Sequence, residues 1–240
     1  MLAISKTAEQ RDTAELMLYP HYAKQQNLNQ FIGSNAKIKQ AFLQKQYLID
    51  AANETSLMHV IKSPNASQDQ KNVALYTVLN KSLAFQNYPL FNQAFTALPN
   101  NSAQYHSGEN SPEKFNQQPP FANFFWKGTK ISNAVQCPDL FTLTKQLQIN
   151  PKELPLKLCL GEYSRSSQAY DLVNLGYPHD NSLLSFKGTD FARGNTYKEI
   201  IKQNQKTKLT AYALFRAIQC YAPSGINECQ DSDVAKPFRK

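Results

Sequence analysis

Apolar residues in the first hundred positions recur at helical spacing, and each run is bounded by residues that start or stop helices. Thr7 precedes Gln10 by three positions, the spacing of a capping box. The helix it opens is predicted to end before Pro20, because the residue ahead of a proline is steered out of helical dihedrals. Ser34 stands where it can cap a second helix, whose buried face would carry Ile38, Ala41, Phe42, Leu48, Ile49 and Ala52. Ser67 and Gln70 repeat the capping-box pattern, and Val73, Tyr76, Leu79 and Leu83 then line one face. Pro89 sits where a first helical turn tolerates proline. Phe91, Ala94, Phe95 and Leu98 follow on one face, and Pro99 ends the run. Two amphipathic helices joined by so short a break predict an antiparallel αα-hairpin.

Between Pro99 and Pro120 the periodicity disappears into a polar, proline-rich stretch. A loop of roughly 20 residues is uncommon inside a compact domain, so a boundary is expected here. The predicted division is residues 1–98 as an N-terminal helical subdomain, 99–136 as a linker, and 137–240 as a C-terminal subdomain. The linker contains an aromatic docking segment, Phe121-Ala122-Asn123-Phe124-Phe125-Trp126. Four aromatic rings so close together are costly to leave in water and should dock onto a core. The alternative is a ligand-facing aromatic patch.

Helical spacing then returns. Pro138 can open a helix carrying Leu140, Leu143 and Leu147 that ends at Asn150-Pro151. Pro155 can open another, with Leu156, Cys159, Leu160 and Tyr163 on one face. Residues 174–195 read as irregular. A helix from Asn195 to Gln203 follows, and then one capped by Thr207 that runs into Cys220. The expected fold is all-α: antiparallel helical hairpins in a TPR-like, solenoid-like array with a central irregular linker. Only 8 of the 240 residues are glycine, which also disfavours hairpin- and bulge-rich architectures.

Charge changes this picture little. The formal net charge is +8, which suits anionic partners such as a cell-wall polymer. The 21 lysines and 5 arginines are dispersed rather than clustered, so nucleic acid is not the expected partner. One ordered feature is a candidate basic binding face, Lys198, Lys202 and Lys206 at i, i+4, i+8. A solvated helix face explains the same spacing. No apolar run approaches the length of a membrane span. The N-terminus lacks the charged and apolar regions of an export signal, so an exported parent protein would have lost its signal.

The four cysteines, Cys137, Cys159, Cys220 and Cys229, carry the most informative chemistry. They fall into two local pairs, which favours two disulfides and an oxidising compartment. Mixed pairing stays open, because four cysteines allow three connectivities. Zinc is disfavoured, since its ligands usually come in closely spaced pairs, and no metal or other cofactor is expected. Reduced core thiols in a cytoplasmic helical interaction domain are a further alternative.

The chain lacks nucleophile elbows, phosphate loops and zinc-protease motifs. The one acid candidate is Glu162 in Leu-Cys-Leu-Gly-Glu-Tyr-Ser-Arg. A lone glutamate in a helical domain beside aromatic residues resembles the lytic transglycosylases, which implies a general acid acting on a glycosidic oxygen. Tyr163 follows the glutamate where that family has serine, and the later motifs are missing. The competing reading leaves Glu162 solvated or paired with Arg165. Four Asn-x-Ser/Thr sequons, at Asn53, Asn65, Asn80 and Asn100, are frequent enough by chance in so Asn-rich a chain.

The segments NPKELPLKLCLGEYSR, FKGTDFARGNTYKEII and AYALFRAIQCYAPSGINECQDSDVAKPFRK resemble the ends of large gammaproteobacterial envelope proteins. These have no defined activity, and some carry outer-membrane assembly lipoprotein labels. The likeness spans roughly Cys137 to Lys240. It implies an extracytoplasmic, TPR-like helical protein and a sequence that is a piece of a longer chain, and it brings no catalytic residue. The expected function is therefore a periplasmic or envelope-facing scaffold that binds another protein.

Overall fold

The computed structural model describes residues 7–100, 120–132, 135–166, 186–203 and 205–220. The chain divides into two compact units, Met1–Asn123 with Asp171–Gly188, and Phe124–Tyr170 with Thr189–Lys240. The boundary thus falls inside the aromatic segment, and Phe186, Lys187 and Gly188 belong to the first unit, where the Lys187 amide donates to Glu54 at 2.9 Å. A linear reading cannot show this, because it depends on long-range packing.

In the first unit the described helices are α1 (Ala8–Lys24), α2 (Ala41–Gln46), α3 (Glu54–Lys62), α4 (Gln68–Ala84) and α5 (Tyr88–Phe95). The capping boxes at Thr7 and Ser67 both form. Helix α1 does not stop at Pro20 but continues through it to Lys24. One lost backbone bond is offset by burial of Ala23 and by the edge-on contact of Tyr19 with Phe31.

Helix α2 departs further from expectation. Ser34 does not cap it, and the helix starts only at Ala41. Its N-terminus is held instead by Glu15 of α1, which is buried and accepts hydrogen bonds from the amides of Lys39 (2.8 Å) and Gln40 (2.9 Å). A carboxylate there also meets the positive end of the helix dipole. This late start rotates the faces, so Phe42 is exposed while Leu43 and Tyr47 are buried. The chain then widens into a π-turn, Tyr47–Ala51.

Helix α4 is the centre of the unit. It packs against α3, α5, α2 and the π-turn, and its residues are buried nearly all round from Asn72 to Leu83. Asn80 is among them, so that sequon is inaccessible in the folded chain. Asn53 is instead the N-cap of α3, accepting from the Ser56 amide at 2.8 Å. Phe121 is buried and packs near Tyr76, docking the end of the predicted linker.

The second unit holds α6 (Leu140–Ile149), α7 (Leu154–Ser166), α8 (Arg193–Lys202) and α9 (Lys208–Cys220). They pack in sequence, α6 on α7, α7 on α8, α8 on α9. Asp139 caps α6 and Thr207 caps α9. The chain is not purely helical. β1 (Thr129–Ser132) pairs antiparallel with β2 (Val135–Cys137), placing Thr129 opposite Cys137. Strands of four and three residues are too short to show alternation in a sequence.

Gly128 enters this ribbon at φ +81°, and a Cβ there would lie 2.2 Å from the Cys137 carbonyl oxygen. Gly128→Ala is therefore expected to cost about 2 kcal/mol. Urea unfolding checks this, and an unchanged midpoint would show that the turn is not constrained as described.

Candidate functional site

Two of the five arginines, Arg165 and Arg216, converge on one carboxylate in the second unit. Glu162 lies on the inner side of α7 and is 2% exposed. Arg165, one turn on, donates to Oε2 from Nη2 at 2.9 Å and from Nε at 3.2 Å. Arg216 of α9 reaches both oxygens, with Nη2 3.4 Å from Oε2 and Nε 3.2 Å from Oε1. Its Nε hydrogen is directed at the Tyr212 hydroxyl, 2.9 Å away, so Oε1 is held by charge rather than by an aligned bond. Arg216 Nη1 donates to Gln219 at 2.8 Å. Arg193 and Tyr197 of α8 lie over Gly161, beside the glutamate.

Burial pushes the Tyr197 phenol up to about 12, and the charge of Glu162 adds to the effect. Burial and the neighbouring Glu162 carboxylate do the same for Tyr212. Arginine suits this place because its planar fork bonds a carboxylate through two N–H groups at once. The cluster ties α7 to α9 through charge, with α8 packed over it. Of the readings open for Glu162, the geometry matches pairing with Arg165. With both oxygens facing guanidinium groups, Glu162 serves as an acceptor and has little access to a sugar oxygen.

Cys137 and Cys159 form a disulfide, with S–S 2.06 Å and Cα–Cα 5.4 Å, which staples β2 to α7. Cys220 is buried and disulfide-bonded, while Cys229 lies outside the described residues. Among the described residues there is no free cysteine and no group of side chains suited to a metal ion.

The basic stripe is shorter than its spacing suggested. Helix α8 ends at Lys202, with Gln203 as its C-cap, so Lys206 falls on the connection to α9. Lys198 and Lys202 remain on the helix. Glu199 lies between them in sequence and pairs with Lys157 at 3.6 Å. Lys202 borders an open hollow of about 370 Å³ that Lys152 and Glu199 also line. The stripe ended early because the chain must reverse to lay α9 on α8.

Two features escaped the sequence reading. The first is Lys81 in the first unit, which is 6% exposed. Its ammonium makes a long 3.5 Å contact with the Asp50 carbonyl and faces the Phe186 ring at 5.5 Å. Burial lowers its pKa to about 8, and burial raises that of Asp50 to about 6. A lysine inside an apolar helical run reads as solvated until the packing of that helix is known.

The second is the outer face of α9. Leu214, Phe215 and Ile218 are 45%, 51% and 70% exposed, and Ala211 is exposed beside them. The four positions are i, i+3, i+4 and i+7, one face of a helix. The opposite face, with Leu209, Ala213, Ala217 and Cys220, belongs to the core with Leu158, Tyr197 and Ile200. Spacing alone shows that this segment is an apolar helix, but not which of its two apolar faces is covered.

Among the described residues no helix is long and apolar enough to cross a membrane. Comparison with protein-family models, curated proteins and solved structures returned no match.

Proposed function

We propose that this chain is an extracytoplasmic helical scaffold that binds another protein, with its second unit arranged as a TPR-like stack. The observation that carries the reading is the second apolar face of α9. Isolated exposed apolar residues are ordinary, but a contiguous stripe on one helix marks an interaction surface. The sequential packing of α6 to α9 supports the stack, since such arrays bury their faces layer by layer and act mainly in recognition. The cystine between Cys137 and Cys159, with Cys220 also oxidised, supports an oxidising compartment.

The test uses the full chain carried through a bacterial export pathway. Alkylation of the denatured, unreduced protein is expected to find no free thiol. Amine cross-linking through the surface lysines in intact cells is expected to give a discrete heavier species in the envelope fraction. Four free thiols would overturn the compartment, and a cross-linking pattern of monomer alone would overturn the scaffold. Closing the 22-residue separation contributes about 3 kcal/mol in the chain-entropy description. Replacing Cys137 and Cys159 together by alanine is therefore expected to lower stability by that order, as urea unfolding would measure.

A further inference from the structure

We propose that Phe186-Lys187-Gly188 is a strap that opens without unfolding of α4 and so gates access to the amine of Lys81. All the residues involved belong to the first unit, and the strap does not depend on the scaffold reading. The Phe186 ring is buried, 6.0 Å from the Phe85 ring at the end of α4, and the Lys81 ammonium faces it at 5.5 Å. The Lys187 amide donates to Glu54 Oε1 at 2.9 Å. The same oxygen accepts from Asn87 Nδ2 at 2.9 Å, which ties the strap to the first turn of α3 and to the cap of α5. Gly188 adopts φ +136° directly against the Phe85 carbonyl, a place that leaves no room for a Cβ.

The strap is held thinly. One aromatic ring is buried, while Lys187 and Gly188 on its C-terminal side are exposed. Its gains are the burial of that ring and the amide bond to Glu54. Against them stand the ordering of the segment and the burial of a cation. The Lys81 ammonium makes one long contact, 3.5 Å to the Asp50 carbonyl, and among the described residues no carboxylate pairs with it. Lifting Phe186 returns this charge to water. Helix α4 itself is fixed by α3, α5, α2 and the π-turn, so the strap can leave while the helix stays. Closed, the strap keeps an amine 6% exposed; open, it offers that amine to any amine-directed electrophile.

The test is reductive methylation of the purified, oxidised full chain with formaldehyde and cyanoborohydride. Peptide mass spectrometry follows Lys81, and hydrogen exchange follows the amides of α4. In the wild type, Lys81 is expected to be slowed relative to the urea-unfolded chain. That slowing is expected to be at least about tenfold smaller than the slowing of exchange along α4. Phe186→Ala and Gly188→Ala are each expected to speed Lys81 methylation at least about tenfold, the scale set by one buried phenylalanine ring. In both variants Lys81 should stay less protected than α4. Lys81→Met, which removes the charge that opposes closure, is expected to slow exchange of the Lys187 amide at least about threefold at pH 7.

Wild-type Lys81 slowed as much as the α4 amides would overturn the proposal, since exposure would then require unfolding of the helix. Wild-type methylation as fast as in the unfolded chain would also overturn it, because nothing would then cover the amine. So would Lys81 methylation unchanged by either strap variant, or Lys187 amide exchange no slower in Lys81→Met. The wild-type comparison needs no variant, so a failure of either strap variant to fold leaves the proposal open to refutation.

Discussion

Replacing Glu162 with glutamine is expected to destabilise the protein by about 3–5 kcal/mol, the usual effect of removing one partner from a buried ion pair. Gln keeps the shape but removes the charge, leaving the Arg216 guanidinium, only 13% exposed, and its neighbours facing a neutral amide. Arg165, more exposed at 31%, can turn to water and soften the loss. Urea unfolding of the oxidised chain measures the effect. A double variant, Glu162→Leu with Arg216→Met, is expected to recover most of it, because an apolar pair of similar volume avoids the desolvation cost of both ions. A loss under about 1 kcal/mol would show that the cluster is not the clamp described. The same Gln variant also addresses the transglycosylase reading. Cleavage of purified peptidoglycan by the wild type that vanishes in a folded Glu162→Gln protein would give the residue a chemical role that its present contacts do not suggest.

Lys81→Met is expected to act in the opposite direction, raising stability at pH 7 by about 2 kcal/mol, with the gain disappearing toward pH 10.5. The sign follows from proton uptake. In the folded protein the ammonium has a pKa of about 8 against 10.5 in the unfolded chain. Between these values the unfolded chain binds the extra proton, so wild-type stability rises with pH by about 3 kcal/mol across that window. Below pH 8 the folded chain carries the buried charge and the penalty is fully present. Methionine fills the same space without that charge. The gain at pH 7 is smaller than the full penalty, because Asp50, already raised to about 6, loses the cation that moderates its burial. The contribution of Asp50 runs the other way, being present below pH 3.8 and lost as pH rises through about 6. Unfolding curves of wild type and variant from pH 5 to pH 11 separate the two. A variant less stable than wild type at pH 7 would mean that the ammonium makes a compensating contact stronger than its 3.5 Å approach to the Asp50 carbonyl.

The two sites differ in how far they could be read in advance. Glu162 and Arg165 are three apart on a predicted helix, so their pairing was legible as a local option. That Arg216 completes the clamp, 54 positions away, was not. Helix spacing reports which residues share a face, never which distant face comes to meet them. Lys81 was invisible for a related reason. It sits on the side of α4 that would be solvated in a two-helix hairpin, and it is buried because α3, α5, α2 and the π-turn surround that helix.

What the sequence determined by itself was local. The capping boxes at Thr7 and Ser67 and the cap at Thr207 depend on interactions within a few residues, and all are present. The pairing of Cys137 with Cys159, one of three connectivities open to four cysteines, also matches their proximity in sequence. Tertiary structure decided the rest. It carried α1 through Pro20, because packing outweighed one lost hydrogen bond. It moved the start of α2 to the carboxylate of Glu15, because a buried cap from another helix outcompeted Ser34. It also left Leu214, Phe215 and Ile218 uncovered on α9, because burial is a property of neighbours, and the sequence does not name a helix's neighbours.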